Sequence, residues 1–214
     1  MHIDIVSDVI CPWCFIGKRR LGRALEQRPD LTVSVTWRAF QLNPEMPEGG
    51  VARADYVAAK FGGAAHAARI YAAIAEAGAG ENIAFAFERI RRTPNTRDAH
   101  RLIRFATLAG NADPVVEALF AAYFEQGRDV GDRAVLADIA AEAGFARSEA
   151  ADWLAGEDGL EEVLGEDRSA RRLGISGVPC FILDGGYSIS GAQEPEFFFP
   201  LFDLVQNAAV QPVA

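Results

Sequence analysis

The feature that most limits the fold of this chain is a pair of cysteines, Cys11 and Cys14, three positions apart at the boundary between two patterns. Residues 2–7 have the pattern of a strand, and residues 15–27 have apolar positions at helical spacing. Both sulfurs are therefore expected at the amino end of a helix, where unpaired N–H groups and the helix dipole favour a thiolate. The thiolate is the form that attacks disulfides. The pair predicts dithiol chemistry, with Cys11 as the exposed nucleophile and Cys14, one turn further in, as the resolving cysteine.

The same two cysteines are also compatible with a metal site or a structural disulfide, but the rest of the chain weighs against both. Zinc takes four ligands, usually with a second cysteine pair or a histidine pair. The remaining candidates, Cys180 and the histidines at 2, 66 and 100, are scattered singly along the chain. A disulfide that closes so short a loop would add little stability. The sequence therefore favours redox chemistry and predicts no metal site.

Charge and length argue against several classes of partner. The 214 residues include 21 basic and 30 acidic side chains, and the formal net charge of −9 disfavours nucleic acids and anionic membranes. No apolar run approaches the roughly 18 residues that a membrane span needs. Because the cysteine pair begins at residue 11, little room is left for a cleavable signal peptide of about 15–30 residues. We therefore expect a cytoplasmic protein, in a compartment that keeps thiols reduced.

The apolar pattern changes twice along the chain. Residues 2–7, 15–27 and 31–37 have the patterns of strand, helix and strand, which implies a right-handed crossover and a parallel strand pair. A loop rich in proline and glycine, 43–50, begins a long stretch of helical spacing that ends at Gly174.

After this stretch the pattern returns to strands. Residues 180–183 and 187–190 have the pattern of a hairpin around the turn 184–186, and a closing helix follows. Pro200 falls inside that helix and is expected to kink or shorten it.

The element order is therefore β-α-β, a block of helices, and then β-β-α. This order predicts an α/β protein with a thioredoxin-like fold that is interrupted by a large all-helical insertion. We place the thioredoxin-like domain at 1–50 and 174–214, and the helical insertion at 51–173. Within the insertion, Asp132 is positioned to cap a helix.

In such a fold the loop before the third strand meets the cysteine pair. Pro179 would then stand beside the sulfurs, and we expect the Val178–Pro179 bond to be cis, although only about 5–6% of X–Pro bonds are. A cis bond leaves the Val178 backbone facing outward as a short edge, with which an extended substrate can pair by strand addition. The sequence thus predicts Val178 and Pro179 as substrate-binding residues.

Four parts of the chain together resemble the DsbA-like thioredoxin family, specifically its cytoplasmic FrnE-type branch. They are 8–17 (DVICPWCFIG), 37–44 (WRAFQLNP), 94–102 (PNTRDAHRL), and 174–179 (GISGVP) with 190–193 (SGAQ). The resemblance implies dithiol–disulfide exchange by Cys11 and Cys14, a cis-proline at Pro179 and a helical domain that roofs the active-site cleft. Cys180 departs from the family pattern, which has an apolar and often aromatic residue there, and Pro200 departs from it by interrupting the final helix.

Pro12 and Trp13, between the two cysteines, are expected to support the active site. Trp13 cannot supply positive charge to a Cys11 thiolate, as the histidine of strongly oxidising relatives does. We therefore expect a couple less oxidising than that of DsbA, about −120 mV. Trp13 is also suited to form a hydrophobic platform at the rim of the cleft.

Three further features have two interpretations each. His100, near the start of a helix, is a candidate to face the cleft, bind substrate and act on a proton, or to make a structural contact on its helix. Cys180 is expected to be a buried strand residue, with a third redox cysteine close to Cys11 as the alternative. The basic run at 89–92 is expected to be solvated, with a site for an acidic thiol such as glutathione as the alternative.

The leading function is a thiol–disulfide oxidoreductase or isomerase that acts on protein or small-molecule thiols and disulfides. It would need no bound cofactor beyond its own dithiol, with glutathione as a candidate co-substrate. The runner-up is a glutathione-dependent isomerase or transferase, similar to 2-hydroxychromene-2-carboxylate isomerases and kappa-class transferases, which typically replace the resolving cysteine. A non-catalytic client-binding module is the third class. The sequence does not fix the client, the direction of electron flow or the oligomeric state.

Overall fold

The computed structural model describes residues 1–210. In chain order its elements are β1 (His2–Ser7), α1 (Pro12–Glu26), β2 (Ser34–Ala39), β3 (Val51–Ala52), α2 (Arg53–Phe61), α3 (Ala64–Ala79), β4 (Arg92–Thr93), α4 (Arg97–Leu108), α5 (Asp113–Phe124), α6 (Arg133–Glu142), α7 (Arg147–Ala155), α8 (Leu160–Arg172), β5 (Cys180–Leu183), β6 (Tyr187–Ser190) and α9 (Phe199–Val210), with short 3-10 helices at Phe87–Arg89 and Pro195–Phe197.

Four strands form one mixed sheet in the order β2-β1-β5-β6. β1 is parallel to β2 and antiparallel to β5, and β5 is antiparallel to β6. The helix α1 makes the crossover between the two parallel strands. The order β-α-β, helices, β-β-α confirms the predicted thioredoxin-like architecture with a helical insertion.

The central strand β1 is covered on both faces, as its doubly apolar sequence predicts. Ile3 and Ile5 point into the main core, which also contains Phe181 of β5 and buried side chains of α1 and α9. Val6 points to the opposite face and joins a smaller cluster with Cys180. The sheet therefore separates two apolar layers.

The segment between β2 and β5 packs directly against α1. The ring of Phe15, at the start of α1, stacks on Phe120 of α5 with centroids 5.1 Å apart and planes 12° apart. Phe124 stacks on the same ring at 6.5 Å. The segment also contains an element that the helical pattern did not predict, the two-residue antiparallel pair of β3 and β4.

Two local predictions concern the ends of helices. Asp132 caps α6, and its carboxylate accepts from the N–H groups of Ala134 and Val135 at 2.7 and 3.1 Å, which confirms the prediction. Pro200 was predicted to kink or shorten the final helix, and the shortening is confirmed, because α9 begins only at Phe199, after the 3-10 turn Pro195–Phe197. Pro200 therefore lies in the first turn, where its missing N–H needs no partner within the helix.

Candidate active site

The two cysteines lie where β1 passes into α1. Cys11 is the N-cap residue of α1 with an extended backbone (φ −94°, ψ 111°), and Pro12 follows as the first helical residue. Proline suits this position because its fixed φ matches the helix and no N–H is required. The Cys14 N–H donates to the Cys11 carbonyl at 3.0 Å, so the chain turns tightly between them.

The predicted exposure of Cys11 is wrong, because the residue is buried. Cys11 is 5% exposed and Cys14 is 1% exposed. The Cys11 thiol donates a hydrogen bond to the Val178 carbonyl at 3.4 Å, so a loop more than 160 residues away in the chain lies against the sulfur. Burial raises the pKa of the Cys14 thiol well above its usual value, and the neighbouring Cys11 raises it further.

The Val178–Pro179 peptide bond is cis, and this loop meets both the Cys11 sulfur and α1. Gly17 makes the approach to α1 possible. A Cβ atom at that position would lie 2.9 Å from Pro179 Cγ and 3.1 Å from Phe181 Cζ. Gly17 belongs to the family-like stretch 8–17, but a helical glycine gives no sign in the sequence that its partner is the proline loop.

Trp13 stands out at this site because its large side chain is 40% exposed beside two buried cysteines. Pro12 is half-buried at the first position of α1. An exposed indole next to the sulfurs suits the predicted platform at the rim, and its effect on the redox couple stays a prediction.

Asp8, three residues before Cys11, is a buried carboxylate that the sequence did not single out. It is 0% exposed, and its backbone carbonyl accepts from the Cys11 N–H at 3.0 Å. Its Oδ2 accepts from the Leu42 N–H at 2.7 Å, whereas its Oδ1 has no hydrogen-bond partner among the described residues. A buried acid without a full set of partners beside a cysteine pair is a recognisable signal of a functional site, although burial at position 8 is not evident from the sequence.

The side chain of His100 is buried, and its role in binding substrate stays a prediction. Its Nε2 lies 3.1 Å from the Phe40 carbonyl and 3.5 Å from the free Oδ1 of Asp8. The alternative, a structural contact, describes this placement better. His100 nevertheless lies next to Asp8, and so it remains part of the surroundings of the cysteine pair.

Cys180 lies on the other face of the sheet from Cys11 and Cys14. It packs in the smaller apolar cluster with Val6 and Phe40, whereas the cysteine pair belongs to the main core. Burial raises the pKa of its thiol. The sheet between the two clusters favours a buried strand residue over a third redox cysteine.

The arginines of the basic run at 89–92 make contacts within the protein. In the basic run, Arg92 pairs with Asp129 at 3.5 Å and Arg89 donates to the Glu125 carbonyl at 3.4 Å. Within residues 1–210, no group of three or more His, Cys, Asp or Glu side chains is arranged to hold a metal ion. Over the same residues, every helix is too short or too polar to cross a membrane.

Comparison with known proteins identifies the family. The model of the DSBA-like thioredoxin domain matches residues 2–200. The chain belongs to the DsbA-like thioredoxin family. This confirms the resemblance found in the sequence, and assignment to the FrnE-type branch stays a prediction.

Individual relatives agree with this assignment over nearly the whole chain. The crystal structure of a probable DsbA oxidoreductase from Streptomyces coelicolor is 30% identical, with a TM-score of 0.88 over 100% of this chain and 93% of that one. The protein YwbO of Bacillus subtilis is 25% identical over 205 residues, 92% of this chain and 94% of that protein. A 2-hydroxychromene-2-carboxylate isomerase shares the fold, with 16% identity and a TM-score of 0.70 over 99% of this chain and 100% of that one.

Proposed function

We propose that this member of the family is a thiol–disulfide oxidoreductase that uses Cys11 as its nucleophile and Cys14 as its resolving cysteine. The contact of 3.4 Å between the Cys11 sulfur and the Val178 carbonyl carries the proposal. It places the sulfur between the amino end of α1, which favours a thiolate, and a backbone edge suited to an extended substrate. A substrate chain paired with Val178 would bring its disulfide to Cys11.

The exchange takes two steps in which electrons and protons balance. The Cys11 thiolate attacks one sulfur of the substrate disulfide, and the other sulfur leaves as a thiolate. The Cys14 thiol then loses its proton and attacks Cys11, which forms the Cys11–Cys14 disulfide and releases the second substrate thiolate. The dithiol is oxidised by two electrons and the substrate disulfide is reduced, and the reverse sequence oxidises a substrate dithiol.

Protein or small-molecule thiols and disulfides are the proposed substrates, and the dithiol itself is the only redox group that the exchange requires. Glutathione is the candidate co-substrate that would return the cysteine pair to its starting redox state. The proposed location is the cytoplasm, as the sequence predicts. The presence of both cysteines supports this function over a site that only binds the thiolate of a substrate.

A glutathione-dependent isomerase is the second candidate, because the isomerase structure described above shares the fold. An enzyme of that type needs a site that holds the glutathione thiolate, without a resolving thiol. Replacing Cys14 therefore separates the two functions: the isomerase activity would survive Cys14→Ser, whereas disulfide turnover would not.

The test is disulfide exchange by single-cysteine variants. Cys14→Ser should accumulate a mixed disulfide on Cys11, detected by mass spectrometry under non-reducing conditions, because no resolving thiol remains. Cys11→Ser should form none and should lose insulin reduction. Cys180→Ser, which removes the third thiol on the other face of the sheet, serves as the matched control with wild-type turnover. Wild-type insulin reduction by Cys11→Ser would refute the proposal, and client binding that Cys11→Ser retains, with no insulin reduction by the wild type, would favour a binding module.

A further inference from the structure

Arg20 of α1 connects three parts of the chain that meet near the active site. Its Nη1 donates to the Ala192 carbonyl at 2.6 Å, in the loop that follows β6. Its Nε donates to a carboxylate oxygen of Glu81, in the segment between β2 and β5, at 3.1 Å. Its Nη2 lies 2.6 Å from a carboxylate oxygen of Glu194. One guanidinium therefore joins α1 both to that segment and to the loop 191–194.

Glu81 holds this guanidinium in one position. The residue is 4% exposed, and the oxygen that accepts from Arg20 also accepts from Arg23 Nη1 at 2.8 Å. A buried carboxylate is stable only when cations or hydrogen-bond donors pair with it. The side chain of Arg20 is itself only 13% exposed, so it is not a mobile surface group. The ion pair therefore keeps the remaining nitrogens of Arg20 directed at the loop 191–194.

The loop 191–194 contacts the proline loop, residues 174–179. Gly191 donates its N–H to the Pro179 carbonyl at 2.8 Å, and the next residue, Ala192, accepts from Arg20. The positive φ of Gly191, +82°, allows the tight turn between these two bonds. The loop also lies against α1, because a Cβ atom at Gly17 would be 3.6 Å from the Ala192 Cα. Arg20 thus holds a loop that in turn holds Pro179.

The proline loop extends this chain of contacts to the cysteine pair. The carbonyl of Val178, one residue before Pro179, accepts from the Cys11 thiol at 3.4 Å. Consecutive contacts therefore lead from Arg20 through the loop 191–194 to the backbone of Val178. In the proposed function this backbone is the edge on which an extended substrate pairs. The position of that edge depends on what holds the loop behind it.

A direct electrostatic effect of Arg20 on a Cys11 thiolate does not account for the same arrangement. Arg20 follows Cys11 by nine residues in the sequence, which is about 13 Å along the helix axis. This distance exceeds the Debye length of about 8 Å at physiological ionic strength. Glu81 and Glu194 also pair with the guanidinium and offset its charge. The contact through the loop is therefore the stronger connection between Arg20 and the site.

We propose that Arg20, anchored by Glu81, is a positioning residue that fixes the loop 191–194 and, through it, the Val178 edge that receives an extended substrate disulfide. This inference rests on the proposed function. It assigns Arg20 to the reaction with peptide disulfides, which use the edge. A small disulfide needs only the Cys11 sulfur and should react independently of Arg20.

Hydrogen exchange of the Gly191 amide, measured by NMR on the reduced protein, tests the positioning directly. In Arg20→Gln this N–H should exchange about tenfold faster, because the loop loses a bond at Ala192 and one hydrogen bond has about this effect. Arg20→Lys should behave in the same way, since an ammonium keeps the charge but lacks the fork that reaches Glu81 and Ala192 together. Arg23→Gln is the matched control with wild-type exchange. Arg23 binds the same Glu81 oxygen and has no hydrogen bond to the loop within residues 1–210.

Stopped-flow reactions of the reduced protein with two disulfides test the consequence for the reaction. Dithiodipyridine is the small one, and attack by Cys11 releases thiopyridone. The other is a short extended peptide whose cysteine carries thionitrobenzoate, which attack by Cys11 releases. In Arg20→Gln and Arg20→Lys the second-order rate constant with the peptide should fall about tenfold, whereas that with dithiodipyridine should stay at the wild-type value. Arg23→Gln should react with both at wild-type rates.

Wild-type exchange of the Gly191 amide in Arg20→Gln would overturn the anchoring of the loop. Faster exchange with an unchanged ratio of the two rate constants would overturn the role in the reaction, and so would an equal fall in both, which indicates a general loss of structure. The same fall of the ratio in Arg23→Gln, or wild-type behaviour of Arg20→Lys, would assign the effect to charge at Glu81 and overturn the role of the loop contact. If the wild type releases no thiopyridone, the proposed function fails, and the Gly191 measurement shows separately whether Arg20 holds the loop.

Discussion

Substituting Gly17 by alanine should disturb the contact between α1 and the proline loop and leave the other contacts of the helix unchanged. The added Cβ would lie 2.9 Å from Pro179 Cγ and 3.1 Å from Phe181 Cζ, so these groups must move apart by roughly half an ångström to reach ordinary contact. Overpacking of this kind costs about 1–3 kcal/mol, and the better helix propensity of alanine offsets about 0.5–1 kcal/mol of it. We expect a net loss of up to about 2 kcal/mol in the free energy of unfolding.

Gly22 provides the matched control, because it lies in the same helix and a Cβ there meets nothing within 4 Å. Gly22→Ala should gain about 0.5–1 kcal/mol, so the difference between the two variants isolates the overpacking of about 1–3 kcal/mol. Urea unfolding of the reduced proteins measures both.

Gly17→Ala should also slow attack by Cys11 about tenfold, since misplacement by 1 Å costs about 10²-fold in rate. A stopped-flow reaction of the reduced protein with dithiodipyridine measures this rate, because attack by Cys11 releases one thiopyridone chromophore. If Gly17→Ala is as stable as Gly22→Ala and reacts at the wild-type rate, the proline loop does not depend on this close approach.

Three other predictions concern stability. Arg101 is buried, and its guanidinium donates to four backbone carbonyls between residues 153 and 158. Arg101→Lys cannot replace all of these bonds and should lose about 2–4 kcal/mol in urea unfolding. Asp132→Ala should lose about 1 kcal/mol, because it removes the cap of α6, and an unchanged unfolding midpoint would contradict that role. Burial raises the pKa of the Cys14 thiol, so Cys14 holds its proton more tightly in the folded state than in the unfolded state. The stability of the reduced protein should therefore be full below the unfolded thiol pKa of about 8.5 and decline above it, less steeply in Cys14→Ala.

Much of the fold could be predicted because its apolar patterns are simple. Ile3 and Ile5 alternate with Val6 in β1, and the structure buries them on opposite faces of the sheet. The two-residue strands β3 and β4 are too short to produce alternation, so no pattern could reveal them. The sequence places Pro200 inside the final helix because the phenylalanines before it continue the helical spacing. In the structure, residues 195–197 form a separate 3-10 turn.

The site was less predictable, because its properties depend on contacts between distant parts of the chain. The spacing of Cys11 and Cys14 places the sulfurs at a helix start, but the burial of Cys11 depends on Val178, which lies in another part of the sequence. The partners of His100 are Phe40 and Asp8, which lie far from it in the sequence. No local pattern indicates either contact, because both depend on the packing of the insertion against the sheet. Local pattern therefore identifies the reactive atoms, and tertiary packing decides what surrounds them.

In the proposed function, the hydrogen bond from Cys11 to Val178 would link deprotonation of Cys11 to substrate binding. A neutral thiol donates to the carbonyl at 3.4 Å, whereas a thiolate has no proton to donate and would face the negative end of the C=O dipole. Loss of the proton therefore removes this contact and leaves the Val178 carbonyl free. A carbonyl without a partner is what an incoming extended chain needs, since its N–H can pair there by strand addition. If Cys11 is the nucleophile, as we propose, the event that activates it would thus also expose the backbone acceptor that holds the substrate disulfide against it.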